Sequence, residues 1–131
     1  MSKVDEILAS ARAGLDRVGP AEADVLRARG ALLVDIRPVA NREAEGEIPD
    51  SVPVERIVLE WRLDPYGEWR IPGFDADTTV IVFCNEGYSS SLAARDLQAL
   101  GLPNATDLIG GFRAWAAAGL PIRSGATPAV T

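Results

Sequence analysis

The one cysteine of the chain, Cys84, lies where a reactive side chain is expected in an α/β protein. It directly follows the apolar run 78–83, which is typical of a buried strand, and it precedes a polar, turn-forming stretch that leads into a helical pattern. In open α/β sheets, ligands bind beyond the carboxyl ends of the strands. Successive main-chain N–H groups in such a turn, together with a helix N-terminus, form a cradle for an anion. The position therefore predicts a thiolate whose pKa lies below its ordinary value.

A lone cysteine after a strand can also be a small buried apolar residue, so the residues that follow decide between the two interpretations. A strand that only continued into the core would not need the polar run that comes next, and Gly87 in mid-turn permits the positive φ of a tight loop. We therefore expect the run to surround a substrate. Its members are Asn85, Glu86, Gly87, Tyr88, Ser89 and Ser90.

Composition excludes several kinds of chemistry. The chain has no histidine, which removes Ser-His-Asp and Cys-His hydrolases and histidine metal sites. One cysteine forms no internal disulfide and fits no four-ligand zinc pattern, so we expect no metal site. A net charge of −6 argues against nucleic acid as a partner. No apolar run reaches the length of a membrane span and the N-terminus lacks signal-peptide features, so we expect a cytoplasmic protein.

The pattern of elements indicates an α/β fold. Helical patterns are predicted for residues 4–15, 20–29, 38–45, 90–100 and 110–115, and strands for 31–36, 52–54, 78–83 and 105–108, with a further short strand possible at 15–18. Strands that alternate with helices imply parallel pairing, with helices on both faces of the sheet. We expect residues 1–123 to form a single domain and the small, polar residues 124–131 to form a disordered tail.

Four segments, in this order and spacing, resemble the signature segments of the rhodanese-like domain family. Residues 32–37 (LLVDIR) resemble its first strand, which ends in Asp-x-Arg, and residues 46–51 (GEIPDS) resemble its Gly-His-Ile-Pro-Gly-Ala segment. Residues 84–90 (CNEGYSS), called the active loop below, resemble Cys-x-x-Gly-x-[Arg/Thr]-Ser. Residues 110–115 (GGFRAW) with 119–121 (GLP) resemble the C-terminal signature. The resemblance covers nearly the whole chain.

The resemblance implies a five-stranded, mainly parallel sheet flanked by helices, and a sulfurtransferase mechanism that needs no cofactor. In that mechanism the Cys84 thiolate attacks the outer sulfur of a donor, such as thiosulfate or a persulfide. The persulfide formed on Cys84 then passes its sulfur to a thiol or cyanide acceptor. Such chemistry requires a nucleophile and a ring of donors for developing negative charge.

The chain departs from the family pattern at several positions. Ser89 occupies a position that is often arginine, which is a mild change, and Glu47 replaces a histidine, which we interpret as structural. A carboxylate at Glu86 is expected to raise the Cys84 pKa and to repel a dianionic donor, which puts thiosulfate in doubt. Related phosphatases use Cys-x5-Arg, and Ser90 stands at that arginine position, so a phosphatase or arsenate enzyme is not expected.

Supporting residues can be assigned in two ways. Arg42 and Arg62 are candidates for binding the substrate's charge, or they are surface arginines paired with nearby acids. Asp35 and Arg37 are predicted to form a structural pair beneath the active loop. Tyr88 and Trp61 either wall the pocket or cap the core, and Phe112 and Trp115, at helical spacing, are predicted to be core residues.

Two alternatives to sulfur transfer remain open from the sequence. The first is a binding or regulatory module that keeps the fold and has little turnover, which Glu86 favours. The second is a redox sensor with an exposed, low-pKa thiol. The oligomeric state has no signal in the sequence.

Overall fold

Four short strands form one parallel sheet in a computed structural model that describes residues 1–131. They are β1 (Leu32–Asp35), β2 (Val52–Pro53), β3 (Val80–Phe83) and β4 (Thr106–Asp107), in the spatial order β2-β1-β3-β4. The central pair is the longest, with Leu32 opposite Val80 and Asp35 opposite Phe83. All three pairings are parallel, so the carboxyl ends of the strands lie along one edge of the sheet.

Six helices connect and cover the strands: α1 (Lys3–Ala13), α2 (Pro20–Ala28), α3 (Val39–Glu45), α4 (Leu59–Leu63), α5 (Ser89–Ala99) and α6 (Gly111–Ala117). Ser2 caps the start of α1, because the Asp5 N–H donates to the Ser2 hydroxyl and the Ser2 N–H donates to the Asp5 carboxylate. Pro20 opens α2 at its first turn, as predicted. No helix combines the length and the apolar character that a bilayer crossing requires.

The two faces of the sheet are covered by different helices, because successive strand residues point to opposite sides. Val34, Val80 and Val82 pack in one core cluster with residues of α4 and α5. Leu33, Ile81 and Phe83 belong to the other cluster, which includes Ala23 of α2 and both Phe112 and Trp115 of α6. Continuous burial of β3 follows from this arrangement, and it confirms the prediction of helices on both faces.

The sheet has four strands where five were predicted. The predicted strand at 15–18 contributes one parallel bridge, between Val18 and Leu108, which is too short to count as a strand. Only residues 14–19 connect the end of α1 at Ala13 to the start of α2 at Pro20, and of these Val18 alone pairs with the sheet. In α1, Ala11 is buried as expected, whereas Val4 and Ile7 of the predicted apolar face are exposed.

The C-terminal segment 124–131, predicted to be a disordered tail, instead packs along the domain. Val130 lies opposite Val54: its carbonyl accepts from the Glu55 N–H at 3.0 Å and its N–H donates to the Pro53 carbonyl at 2.9 Å, which extends the sheet beyond β2. Thr127 donates its N–H and its hydroxyl to Glu47, at 3.0 and 2.8 Å. Small, polar composition did not reveal these partners, because they lie about 75–80 residues earlier in the chain.

A buried ion pair fixes this segment. Arg42 and Glu47 are 1% and 2% exposed, and the Arg42 Nη1 lies 2.6 Å from a Glu47 oxygen. The same nitrogen donates to the Thr127 carbonyl at 2.6 Å, and Arg123 reaches the other Glu47 oxygen at 3.1 Å. Burial raises the pKa of Glu47, but hydrogen bonds from Arg42 and Thr127 outweigh it, so the pKa lies below its usual 4.5. Glu47 therefore has the structural role that the sequence suggested.

Removal of the Glu47 carboxylate is expected to destabilise the fold strongly. Glu47→Ala leaves Arg42 buried without its counter-charge, which costs about 3–5 kcal/mol in the free energy of unfolding. Urea unfolding followed by circular dichroism measures this loss. The matched control is Glu43→Ala, at an exposed position of α3, which should stay within about 0.5 kcal/mol of wild type. Equal stability of the two variants contradicts a structural role for the pair.

The same carboxylate predicts a pH dependence. Because its pKa is lower in the folded protein, its contribution to stability is complete above pH 4.5 and declines as the pH falls through the lower folded-state value. Unfolding measured between pH 7 and pH 3 should therefore show a smaller acid-induced loss in Glu47→Ala than in wild type.

Candidate active site

The active loop connects the carboxyl end of β3 to the first turn of α5. Cys84 follows the last residue of β3, and α5 begins at Ser89. Beside the loop lies an open pocket of about 350 Å³. The structure brings five of the predicted site residues into its lining, together with three residues that follow β1; the lining is Ile36, Arg37, Pro38, Cys84, Asn85, Glu86, Tyr88 and Ser89.

The Cys84 sulfur is half-buried and surrounded by hydrogen-bond donors. The Gly87 N–H donates to Sγ at 3.3 Å. Burial raises the pKa of the thiol, but hydrogen bonds to the sulfur lower it by more. The donors are the Ser90 hydroxyl and N–H, the Gly87 N–H and the Ser89 hydroxyl. The net pKa lies below the ordinary value, in the direction that the sequence predicted. The Ser90 hydroxyl has one proton, which Asp107 also accepts at 2.7 Å, so the main-chain donors are the constant part of this cradle.

The loop keeps its shape because it is docked on the turn that opens α6. The N–H groups of Phe112 and Arg113 donate to the carbonyls of Cys84 and Asn85, at 2.8 and 3.1 Å. Gly111, at φ 64°, comes so close that a Cβ there would lie 2.5 Å from the Cys84 carbonyl oxygen. On the loop side, a Cβ at Gly87 would lie 2.8 Å from a main-chain nitrogen of the same turn. Glycine at positions 111 and 87 is thus required by a backbone-to-backbone contact.

The charges around the pocket are paired. Arg37 bonds both oxygens of Asp35, at 3.0 and 2.8 Å, and stacks on the Phe112 ring at 4.0 Å, as the predicted structural pair beneath the loop. Glu86 is held by Arg113 at 2.6 Å, and Arg113 also bonds Glu45. The pKa of the thiol is lowered despite Glu86, whose carboxylate is bonded to a guanidinium, so the expected rise is not found.

A polar network behind the loop was missed by sequence reasoning. Asp107 of β4 is fully buried and accepts hydrogen bonds from Ser90 and Ser91, at 2.7 and 2.8 Å, and from Arg17 at 2.8 Å. The Gly87 carbonyl accepts from Arg17 and from Arg12 of α1. An aspartate at the end of a strand beside the loop was a usable signal for Asp107. The two arginines gave none, because they lie 70 and 75 residues from Gly87.

The structure does not bring Arg42 or Arg62 to the Cys84 pocket. Arg42 is buried in its ion pair with Glu47, and Arg62 donates to the main-chain oxygens of Thr131 and Trp69. Arg42 does line a neighbouring cleft of about 440 Å³, which shares the wall formed by residues 36–38 with the pocket.

The aromatic candidates fall into two groups. Tyr88 is 60% exposed at the pocket rim, beneath which Arg12 lies 5.6 Å from the ring centre, so it does not cap the core. Trp61 is exposed outside the pocket. Phe112 and Trp115 are core residues, as predicted.

Known proteins that are similar to this chain belong to the family that the active loop resembles. Residues 20–118 match the family model described as "Rhodanese-like domain". The chain is 32% identical over 102 residues to thiosulfate sulfurtransferase GlpE of Pseudomonas savastanoi, covering 77% of this chain and 87% of that protein. It is 38% identical over 91 residues to a sulfurtransferase of Allochromatium vinosum, covering 70% of this chain and 77% of the relative.

Among solved structures, a Rhodopseudomonas palustris protein of unknown function, described as a possible tyrosine phosphatase, superposes with a TM-score of 0.83. It is 32% identical and the match covers 94% of this chain and 96% of that one.

The chain belongs to the rhodanese-like domain family. Within that family it is a rhodanese-like sulfurtransferase, in line with the relatives that share most of its length.

A methyl group at Gly111 is expected to displace the active loop. Gly111→Ala adds a clash with Cys84 and Asn85 that costs ~1–3 kcal/mol, in addition to the ~1–2 kcal/mol of a left-handed alanine. Gly119→Ala is the matched control, since φ is 75° there and no atom lies within 4 Å of the added Cβ. Thermal unfolding and the rate of Cys84 alkylation at neutral pH measure both effects. Alkylation should slow in Gly111→Ala only, and equal effects at the two glycines contradict the docking.

Proposed function

We propose that Cys84 carries sulfane sulfur as a persulfide between a donor and an acceptor. The observation that carries the proposal is the Cys84 thiol itself, half-buried, at the carboxyl end of β3 and with its pKa lowered by the N–H and hydroxyl donors of the active loop. The same donors stabilise a persulfide anion, because it places negative charge at the mouth of the same cradle. The relatives named as sulfurtransferases support this use of the site.

The proposed reaction has two displacements at sulfur. In the first, the Cys84 thiolate attacks the outer sulfur of the donor, the new S–S bond forms, and the bond from that sulfur to the rest of the donor breaks. The donor leaves as a thiolate, or as sulfite when it is thiosulfate. In the second, an acceptor thiolate attacks the outer sulfur of the persulfide, and the Cys84 thiolate is regenerated. No electron acceptor or cofactor is needed, because sulfur is transferred without net oxidation.

The proposed donor is a persulfide in preference to thiosulfate. Of the residues that line the pocket, only Arg37 is cationic, and it is buried and neutralised by Asp35. Glu86 places a carboxylate on the rim. A dianion therefore gains less here than a donor of lower charge, and the apolar side chains of Ile36 and Pro38 suit the organic part of a persulfide.

The proposed acceptor is a thiol that reaches the pocket from outside. The neighbouring cleft of about 440 Å³ continues the wall of residues 36–38 and gives room for a larger acceptor than the pocket alone. The proposal includes the cytoplasmic location expected from the sequence, since the reaction needs Cys84 as a free thiol and a reducing compartment maintains it.

The site offers no support for phosphatase chemistry, although one structural relative is described as a possible tyrosine phosphatase. A phosphate dianion in a Cys-x5-Arg loop is held by the arginine. Here that position is Ser90, whose buried hydroxyl donates to Asp107, and no guanidinium replaces it within the loop.

Substitution of Cys84 is expected to abolish transfer. Wild-type protein treated with a small-molecule persulfide or thiosulfate should gain about 32 Da, the mass of one sulfur, on intact-mass analysis, and then pass it to cyanide or a thiol. Cys84→Ser should show neither the adduct nor turnover, with an unchanged circular dichroism spectrum as its control. A wild-type protein that gains no sulfur from either donor contradicts the persulfide and favours a binding module. Rapid oxidation by peroxide in its place indicates a redox sensor.

Removal of the Glu86 carboxylate is expected to improve thiosulfate use. Glu86→Gln eliminates one negative charge at the pocket rim and frees Arg113, which should raise kcat/KM for thiosulfate about three- to tenfold and change that for a persulfide less. Glu68→Gln, at an exposed position away from the pocket, is the charge-matched control and should leave both values unchanged. The assay is the initial rate of transfer to cyanide at low salt. An equal change for both donors argues against charge selection by Glu86.

A further inference from the structure

Two arginines converge on one carbonyl of the active loop. The Gly87 carbonyl oxygen accepts a hydrogen bond from Nη2 of Arg12 at 2.6 Å and another from Nη2 of Arg17 at 3.1 Å. Neither side chain reaches the pocket lining. The N–H of the same glycine donates to the Cys84 sulfur. Gly87 thus has its N–H on the sulfur side and its carbonyl on the arginine side.

The orientation of this carbonyl matters because Gly87 is the flexible point of the loop. Its φ is 84°, and a glycine has wide main-chain freedom on both of its sides. The carbonyl shares a rigid peptide plane with the Tyr88 N–H, so if it rotated toward the pocket, a partial negative charge would approach the sulfur anion and the Tyr88 N–H would turn to the opposite side. Two charged donors on the oxygen oppose that rotation, since hydrogen bonds to charged groups are stronger than neutral ones.

Both arginines come from outside the segment that matches the family model, which begins at residue 20. Arg12 lies in the last turn of α1, a helix that packs against α5. Besides Gly87 it bonds the Ser91 hydroxyl at 3.0 Å and lies over the Tyr88 ring. Its hydrogen bonds go to a carbonyl and a hydroxyl, so no carboxylate offsets its charge there. The N-terminal segment therefore contacts three residues at the start of α5 and in the loop before it.

Arg17 differs from Arg12 in being anchored. Its Nε and Nη2 donate to the two oxygens of the buried Asp107, at 2.8 and 3.2 Å, and the same Nη2 also donates to the Gly87 carbonyl. The pair of arginines and the single aspartate leave one positive charge in excess behind the active loop. The loop itself contributes no cation, because Ser89 stands where arginine is often found.

We propose that Arg12 and Arg17 are positioning residues, which hold the Gly87 carbonyl away from Cys84 and thereby keep the N–H groups of the active loop directed at the sulfur anion. Arg12 makes the shorter bond and adds the unbalanced charge, so it contributes more than Arg17. The N-terminal helix α1 therefore contributes to the site through Arg12. The two arginines position the loop around the free thiol whether or not sulfur is transferred. Only the consequence of this positioning for sulfur transfer rests on the proposed function.

The test is the pH dependence of Cys84 alkylation by iodoacetamide, which needs no sulfur donor or acceptor. Cys84 is the only cysteine, so the reaction reports this thiol alone. The charged groups near the loop, besides the two arginines, are the pairs Asp35–Arg37 and Glu86–Arg113, with Glu45, and Asp107. All of these remain in place in the variants below.

Arg12→Gln should raise the pKa of the thiol by about half to one unit, which lowers the alkylation rate near neutral pH about three- to tenfold. Arg17→Lys keeps the charge beside Asp107 but loses the second donor to Gly87, and should slow alkylation by about twofold to threefold. Arg29→Gln removes an equal charge from an exposed position at the end of α2 and should leave the pKa unchanged.

Three results overturn the inference. The first is a thiol pKa in folded Arg12→Gln that equals that of wild type. The second is a rise in the thiol pKa of Arg29→Gln as large as that in Arg12→Gln. The third applies if Arg12→Gln does not fold, and is a thiol pKa in Arg17→Lys that equals that of wild type. Circular dichroism and thermal unfolding establish which variants are folded. A failed sulfur-transfer assay with an unchanged alkylation profile, in contrast, counts against the proposed function alone.

Discussion

The hydrogen bond from the Phe112 N–H to the Cys84 carbonyl is the contact on which the rest of the site depends. It joins the end of β3 to the start of α6 through main-chain atoms, at a distance that only glycine at position 111 permits. With the carbonyl of Cys84 fixed in this way, the following N–H groups turn toward the sulfur, and α5 begins with its amino end near the thiol. A backbone contact between two segments therefore fixes the position of the Cys84 thiol, and the side chains nearby set the charge of its surroundings.

Charge adjustment in this chain comes from the periphery of the loop. Residue 86 is acidic and residue 89 is neutral, so the loop has a net negative charge of its own. Arg113 meets Glu86 from α6, while Arg12 and Arg17 approach from the N-terminal side. The hydrogen-bond donors of the loop lower the pKa of the thiol, and the cations behind the loop add no positive charge to the pocket lining. Such a site stabilises the nucleophile and still disfavours highly charged donors.

The sequence predicted the parts of the molecule that depend on neighbouring residues. The apolar run that ends at Phe83, the glycine in the loop and the helix that follows are local patterns, and they located Cys84 at a strand end correctly. For Arg42 the sequence left open whether it binds substrate charge or pairs with a nearby acid. The structure shows the pair, with Glu47, and its burial also depends on Thr127, which lies 85 residues away and gave no local signal. The same limit hid Arg12 and Arg17, whose side chains reach across to a loop that no local pattern connects with them.

Single-residue bridges cover both edges of the sheet. Val130 uses the outward-facing Pro53 carbonyl and Glu55 N–H beyond β2, and Val18 does the same for Asp107 and Ile109 beyond β4. An uncovered edge strand is a template on which the strands of other molecules add, and it is a common route to aggregation. In this fold part of that row is already hydrogen-bonded at both edges, so fewer main-chain groups remain open to pairing. The C-terminal residues, for all their simple composition, thus occupy main-chain groups that would otherwise be free for β-pairing.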